Sequence, residues 1–262
     1  MNPSKPEIQQ EWLNWRTQLP EISNIRIPRC YFPVDSKIVD HQLIGFSDAS
    51  EKAYCGVVYL RSLDTAGGVH TSLVMAKTRV APFKKVSLPR LELCGAHLLS
   101  QLMNHLQGIL AVPTCNLHAF TDSTIVLYWI HGSNQRFKTF EANRIGEIQE
   151  HVPPEKWKHI NGEENPADAG SRGILPEEIL NHKLWWNGPE WIKEDPSNWP
   201  SKFTPFPSLE NLYSSGIKKE TLQFKERKEV TLQAVTTEIK PVIDIQRYSS
   251  YTHLVRVTAW VF

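Results

Sequence analysis

Three strand-like segments follow one another between residues 41 and 80, with no helical pattern between them. They are HQLIGFSDAS (41–50), KAYCGVVYLRS (52–62) and VHTSLVMAKTRV (69–80). The second and third are rich in β-branched and aromatic residues, which favour strands. The second and third are separated by DTAGG, a sequence typical of a hairpin turn. This run of short-range connections predicts three antiparallel strands in one sheet.

Helical patterns dominate the next hundred residues. LPRLELCGAHLLSQLMNHLQGIL (88–110) repeats apolar residues every three or four positions, and Pro89 marks its start. A fourth strand (115–122), two helices (123–131 and 137–152), a fifth strand (156–162) and a last helix from residue 165 follow. The order βββ-α-β-α-α-β-α predicts an α/β fold with a mixed five-stranded sheet flanked by helices. In that sheet the later strands are parallel.

Composition divides the chain into four parts. Residues 1–40 form a lead-in with one amphipathic helix, and residues 41–175 hold the α/β domain. Residues 176–207 are dense in Trp and Pro, so we expect them to pack on that domain. Residues 208–262 indicate a polar linker and the start of a further region, and the chain stops inside an apolar run. We therefore expect a fragment of a longer protein.

The charge balance and the cysteines limit the function classes. Lys and Arg number 29 against 28 Asp and Glu, so a nucleic acid would have to bind a local basic patch. The cysteines show no metal-ligand spacing, and we expect them to be reduced and mostly packed. They are Cys30, Cys55, Cys94 and Cys115. Without an apolar run of membrane-spanning length or a signal peptide, we expect an intracellular protein, cytoplasmic or nuclear, with no membrane partner.

Two acidic residues end strands that can be neighbours. Alternation places Asp48 of FSDAS on one face with Ile44 and Phe46, and Asp122 of FTDST on one face with Phe120. If the two strands pair in parallel, the carboxylates lie side by side at the carboxyl edge of the sheet. Open α/β sheets place their functional sites at that edge.

Two further acidic residues belong to helices. Glu92 lies early in the long helix, on a face that is otherwise apolar. Asp168 lies in NPADAGSRG, where Asn165 can cap a helix and Pro166 suits its first position. A carboxylate in the first helical turn also favours the helix dipole. We therefore expect Asp168 to be held near the start of the last helix.

The four carboxylates together predict a metal site. Converging acids repel one another unless a cation lies among them. Mg²⁺ and Mn²⁺ prefer oxygen ligands, so the set suits two Mg²⁺ ions, or Mn²⁺, and phosphoryl chemistry. Each acid alone has an ordinary structural explanation as a strand-to-turn residue, a solvated helix residue or a helix-terminus residue. The set is Asp48, Glu92, Asp122 and Asp168.

FSDAS, LPRLELCGA, FTDST and NPADAGSRG, in this order of elements, resemble the ribonuclease H domain of retrotransposon Pol polyproteins, most closely the Bel/Pao type. The resemblance runs from about residue 41 to residue 175. It implies cleavage of the RNA strand of an RNA/DNA hybrid by two Mg²⁺ ions. Asp48 would then bridge both ions, and Asp168 would hold the ion that activates water. Glu92 and Asp122 would hold the ion that faces the leaving 3′ oxygen.

The same resemblance implies reverse transcriptase and integrase regions as neighbours in the polyprotein. Candidate substrate contacts are the hydroxyls near the two strand ends and two lysines of KTRVAPFKKV, namely Ser47, Ser50, Thr121, Ser123, Lys84 and Lys85. Hybrid recognition would rest on minor-groove width and the 2′-hydroxyls. Many relatives carry an auxiliary His on a loop after the last strand. Here His159 lies in the strand itself and Glu163 nearer the loop position, so we assign that role to neither.

Three alternatives remain open at this point. The chain could be a catalytically silent or host-captured fragment that binds nucleic acid or protein without cleaving it. FTDST also resembles an aspartic peptidase loop, although Thr124 stands where that loop needs Gly and such enzymes are all-β. A different reaction on the same fold, as in integrases, would place the Glu in a later helix than Glu92.

Overall fold

The computed structural model describes residues 6–33 and 35–200. Within these ranges the strands are β1 (Ile38–Ala49), β2 (Ala53–Asp64), β3 (Val69–Val80), β4 (Leu117–Thr121) and β5 (Trp157–His159). The α-helices are α1 (Pro6–Gln18), α2 (Leu88–Leu110), α3 (Thr124–His131), α4 (Thr139–His151), α5 (Ala167–Arg172), α6 (Pro176–Leu180) and α7 (Lys183–Asn187). Our predictions for residues 1–5, 201–207 and 208–262 lie outside the described residues.

The five strands form one mixed sheet in the order β3-β2-β1-β4-β5. β1 and β2 pair antiparallel, as do β2 and β3, whereas the β1–β4 and β4–β5 pairs are parallel. The predicted α/β fold, with three antiparallel strands followed by parallel ones, is confirmed. β1 and β4 are central and run in the same direction, so their carboxyl ends share one edge of the sheet.

Both faces of the sheet are covered, which explains why the central strands are apolar on both sides. α2, α3 and α4 cover the first face, over a core that includes Leu43, Val58, Leu60, Leu99, Met103, Trp129 and Trp157. α5 and the Trp-rich segment cover the second face, over a core that includes Ile44, Phe46, Val57, Tyr59, Phe120, Trp191 and Trp199. The edge between these two layers carries the candidate site.

Two glycines let α2 lie close to the sheet. A β-carbon at Gly56 would lie 3.1 Å from the backbone of Leu99. A β-carbon at Gly95 would lie 2.9 Å from the carbonyl oxygen of Asp48. Backbone atoms cannot move aside as a flexible side chain can, so both positions need glycine. α2 therefore rests directly on the end of β1.

The Trp-rich segment is fastened to the second face. Trp191 and Trp199 are buried, and the ring of Trp191 lies 5.1 Å from that of Phe120. The buried Arg61 donates from Nε to the Ile192 carbonyl oxygen at 2.8 Å. These contacts hold the described part of the segment against the sheet. The division of the chain into four parts stays a prediction.

The start of the last predicted helix follows the expected pattern. The regular part of α5 begins at Ala167, and Pro166 before it already has helical angles, φ −64° and ψ −22°, as a first helical position requires. Asn165 still caps the helix, because its Oδ1 accepts a hydrogen bond from the Ala167 amide at 3.1 Å. β4 is shorter than predicted, because residues 114–116 form a helical turn ahead of it. β5 is also shorter than predicted and spans only Trp157–His159.

The prediction that most of the cysteines are packed holds for only some of them. All four thiols are free, and Cys55 is buried. Cys30 and Cys115 are exposed, because one lies in the lead-in segment and the other in the turn before β4. Among the described residues, no helix has the length and apolar character needed to cross a membrane.

Candidate active site

The central strands bring Asp48 and Asp122 to the same edge of the sheet. Ser47 of β1 pairs with Thr121 of β4, and Asp48 and Asp122 directly follow these two residues in the sequence. Paired strands lie about 4.8 Å apart. The juxtaposition that the alternating pattern predicts is therefore present in the fold.

Glu92 approaches this edge from α2. Ser123 Oγ donates a hydrogen bond to Glu92 Oε2 at 2.5 Å and accepts one from the Val126 amide at 3.3 Å. One serine therefore caps α3 and holds the carboxylate. Burial raises the pKa of Glu92; the bond from Ser123 opposes that rise, and the charge of Asp48 adds to it.

Asp168 approaches the same edge from the opposite face, on α5. Hydrogen bonds fasten this short helix to the end of β1. Asn165 Nδ2 donates to the Ser47 carbonyl oxygen at 3.0 Å, and Ser171 Oγ donates to Asp48 Oδ2. Ser171 lies one turn after Asp168 in α5. The helix that carries Asp168 therefore also contacts Asp48.

Burial and like charge perturb two of the acids strongly. The pKa of Asp48 rises from 3.8 to about 6, first through burial and further through the charges of Asp122 and Asp168, while the bond from Ser171 opposes the rise. The pKa of Asp122 also rises from 3.8 to about 6, first through burial and then through the charge of Glu92. The four predicted acids therefore act on one another as a single electrostatic cluster.

Arg172 supplies positive charge to this cluster. It lies one helical turn after Asp168, and its Nε donates to Asp168 Oδ1. Its charge also lowers the pKa of Asp122. We did not single out Arg172 from the sequence, although an acid followed four residues later by an Arg is a recognisable signal for an ion pair on a helix.

The donor set fits hard divalent cations by its chemistry, since carboxylate oxygens are their preferred ligands and the like charges need neutralising. The side-chain arrangement is not closed around an ion. Asp48 and Glu92 are turned to serine hydroxyls. Within residues 6–33 and 35–200, no three Asp, Glu, His or Cys side chains converge closely enough to hold a metal. Binding of an ion would therefore require the carboxylate side chains to move closer together.

A comparison with protein-family models tests the resemblance to ribonuclease H domains of retrotransposons. Residues 2–123 match the Pao retrotransposon-like RNaseH-like domain. The match covers 122 of the 262 residues, just under half of the chain, and this part of the chain is similar to that domain. The resemblance expected from the sequence is confirmed, and the matched range includes Asp48, Glu92 and Asp122. A comparison with curated proteins found no match.

Solved ribonuclease H structures are similar to this chain at low sequence identity. RNase H1 from Halobacterium salinarum is 13% identical, with 55% of this chain and 99% of that chain covered and a TM-score of 0.32. The N-terminal RNase H domain of a Mycobacterium tuberculosis protein is 7% identical, with 54% and 98% covered and a TM-score of 0.33. LC11-RNase H1 in complex with an RNA/DNA hybrid is 12% identical, with 53% and 99% covered and a TM-score of 0.35.

His159 lies in β5, as the sequence predicts. Its Nε2 lies 3.1 Å from the Asp122 carbonyl oxygen, which can only accept, so this nitrogen carries the proton. Glu163 is exposed in the short helical turn that follows β5. His159 therefore supports the backbone of Asp122, a contact that sequence reasoning missed because it joins residues 37 positions apart.

Two of the four predicted hydroxyl contacts need correction because they are buried. Ser47 and Thr121 are 0% and 2% exposed, so their side chains do not reach a substrate in this arrangement. Ser50 donates to the Ser171 carbonyl oxygen at 2.6 Å, and Ser123 holds Glu92, so both have structural partners. The hydroxyls near the strand ends build the site from within.

The fold also decides between two alternatives. An aspartic peptidase is all-β, and helices cover both faces of this sheet, so that interpretation is excluded. Glu92 lies on α2, the first helix after the three antiparallel strands, and not in a later helix. This position agrees with the ribonuclease H arrangement rather than with an integrase.

Proposed function

We propose that this chain is a metal-dependent nuclease that hydrolyses the RNA strand of RNA/DNA hybrids. One observation carries the proposal: four acidic side chains, each in or next to a different element, lie near the carboxyl edge of the sheet and act on one another electrostatically. They are Asp48, Glu92, Asp122 and Asp168. The family match supports the reaction class, and its Pao-like description supports an origin in a retroelement polyprotein beside reverse transcriptase and integrase regions.

Two Mg²⁺ ions, or Mn²⁺, would be held by these carboxylates and would activate water and stabilise charge on the leaving 3′ oxygen. The fold of the chain determines where these four carboxylates lie. β1 and β4 fix the backbones of Asp48 and Asp122, while α2 and α5 bring Glu92 and Asp168 from opposite faces. Burial first, and the neighbouring carboxylates second, raise the pKa values of Asp48 and Asp122, as expected for acids held close together and away from water.

A basic loop supports nucleic acid as the substrate. Lys84 and Lys85 are exposed in the loop between β3 and α2. β3 runs parallel to β1 because each is antiparallel to β2, so this loop lies at the same edge as Asp48. Between Asp64 and Glu92 the sequence holds five Lys or Arg and no Asp or Glu, in a chain whose net charge is only +1. We propose that the two lysines contact phosphates, with the 2′-hydroxyls identifying the RNA strand.

A cleavage assay tests the proposal. The full chain is incubated with Mg²⁺ and a hybrid labelled on its RNA strand, beside Asp122→Asn and the control Asp64→Asn, which changes an acid at the opposite edge of the sheet. We expect the wild type and Asp64→Asn to cut the RNA strand, and Asp122→Asn and any EDTA-treated sample to leave it intact. Equal cutting by wild type and Asp122→Asn, or none by well-folded wild type, would refute the nuclease. Hybrid binding without cutting would favour the catalytically silent alternative.

A further inference from the structure

Arg172 occupies a position that the proposed reaction does not yet explain. It is the last residue of α5, and Gly173, with φ 81°, ends the helix directly after it. The Arg172 side chain is 68% exposed, whereas its partner Asp168 is 38% exposed. The guanidinium therefore lies on the solvent side of the acidic cluster, where it can turn away without leaving a buried charge.

The charge of Arg172 reaches beyond its hydrogen-bond partner. The bond to Asp168 and its charge raise the pKa of Arg172, and the charges of Asp48 and Asp122 add to that rise. The remaining acid, Glu92, is bonded to a serine rather than to a cation. A divalent ion that entered the cluster would meet this guanidinium as a competitor for Asp168.

We propose that Arg172 is a displaceable counter-ion: it binds Asp168 in the metal-free chain, gives up that carboxylate when a divalent ion binds, and then contacts a phosphate of the nucleic acid. The first half stands on the acidic cluster alone, and the second half rests on the proposed function. Exposed ion pairs are weak enough to exchange. A planar guanidinium matches phosphate oxygens with two parallel hydrogen bonds, so the released side chain has a suitable new partner.

Calorimetric titration of the full chain with Mn²⁺, without nucleic acid, tests the first half. We expect Arg172→Gln to bind Mn²⁺ about two- to fivefold more tightly than wild type, the range that loss of an exposed ion pair allows. Arg172→Lys, which keeps the charge, should stay closer to wild type. Lys193→Gln is the matched control, because it removes an exposed cation paired with Glu190 at 2.9 Å in another segment, and it should change nothing.

Salt-dependent binding of the hybrid tests the second half. All chains carry Asp122→Asn so that the hybrid stays intact, and the affinity is measured with Mn²⁺ across a salt series. We expect Arg172→Gln to reduce the slope of log affinity against log salt by about one, the change for one lost phosphate contact. Lys193→Gln should leave the slope unchanged. A merely structural role of Arg172 would lower the affinity without changing this slope.

The outcomes separate the two ideas. Equal or weaker Mn²⁺ binding by Arg172→Gln, or no Mn²⁺ binding by any chain, overturns the counter-ion role. An unchanged salt slope overturns the phosphate contact. If wild type binds Mn²⁺ but leaves the hybrid uncut, the nuclease proposal fails, and the calorimetric comparison still decides the counter-ion. Thermal unfolding of each variant confirms that it is folded.

Discussion

Asp122→Asn should stabilise the metal-free chain at neutral pH even though it removes a site residue. The pKa of Asp122 rises from 3.8 to about 6 in the folded chain, through burial first and then through the charge of Glu92. The folded state therefore holds this proton more tightly than the unfolded state does. The stabilisation of the folded chain by this bound proton is complete below about pH 4. It is lost as the pH rises through about 6 and stays lost above that.

The size of the effect follows from the two pKa values. The difference between 3.8 and about 6 corresponds to about 3 kcal/mol, at about 1.4 kcal/mol for each pKa unit. Asn has nearly the same shape and no charge, but burying its amide still has a cost. We therefore expect Asp122→Asn to raise the free energy of unfolding by about 1–3 kcal/mol at pH 7 and to leave it nearly unchanged at pH 4.

Urea unfolding in EDTA at pH 4, 5, 6 and 7 measures this directly. The control is Asp64→Asn, because a hydrogen bond from His70 holds the pKa of Asp64 below its usual value. Asp64→Asn should therefore destabilise the chain at pH 7, whereas Asp122→Asn should stabilise it. Parallel stability curves for wild type and Asp122→Asn, or a less stable Asp122→Asn at pH 7, would show that folding does not raise the pKa of Asp122 as this reasoning requires. Added Mg²⁺ should stabilise wild type more than the variant.

Two further predictions concern packing and positioning. Gly95→Ala should cost about 1–3 kcal/mol, because its β-carbon would lie 2.9 Å from the Asp48 carbonyl oxygen. Gly108→Ala in the same helix meets nothing within 4 Å and should stabilise by up to about 1 kcal/mol; equal effects in urea unfolding would contradict the close approach of α2. His159→Leu should lower kcat for hybrid cleavage with little change in KM, because the Asp122 carbonyl loses its donor. His159→Gln, which keeps a donor, should recover part of kcat, and an equal loss in both variants would argue against this role.

The parts of the site that the sequence predicts are those set by local periodicity. Alternation along β1 and β4 places Asp48 and Asp122 correctly, since each strand needs only its own residues to define two faces. The bounds of α2 are also those predicted, because an apolar repeat, an opening Pro89 and a long uninterrupted helix leave little choice. Pairing of β1 with β4 needed one further assumption, that a helical crossover joins parallel neighbours, and the fold satisfies it.

The parts that were missed depend on contacts between distant residues. The bond from Ser171 to Asp48 spans 123 positions, and Ser171 has ordinary uses at a helix end. The prediction of Ser47 as a substrate contact failed for a related reason: a hydroxyl beside an acid suggests access, yet Ser47 is fully buried. Burial at a sheet edge is set by the layers above and below, which no local pattern reveals.

The layers also give the two sides of the site different electrostatic characters. Asp48 and Asp122 end buried strands, so burial is the main reason that their pKa values rise. Asp168 lies on a surface helix, where it is partly exposed and already paired with Arg172. A cation approaching from solvent therefore meets the exposed acid first and has to replace one positive charge there. Only then can it offset the negative charge around the two buried strand acids.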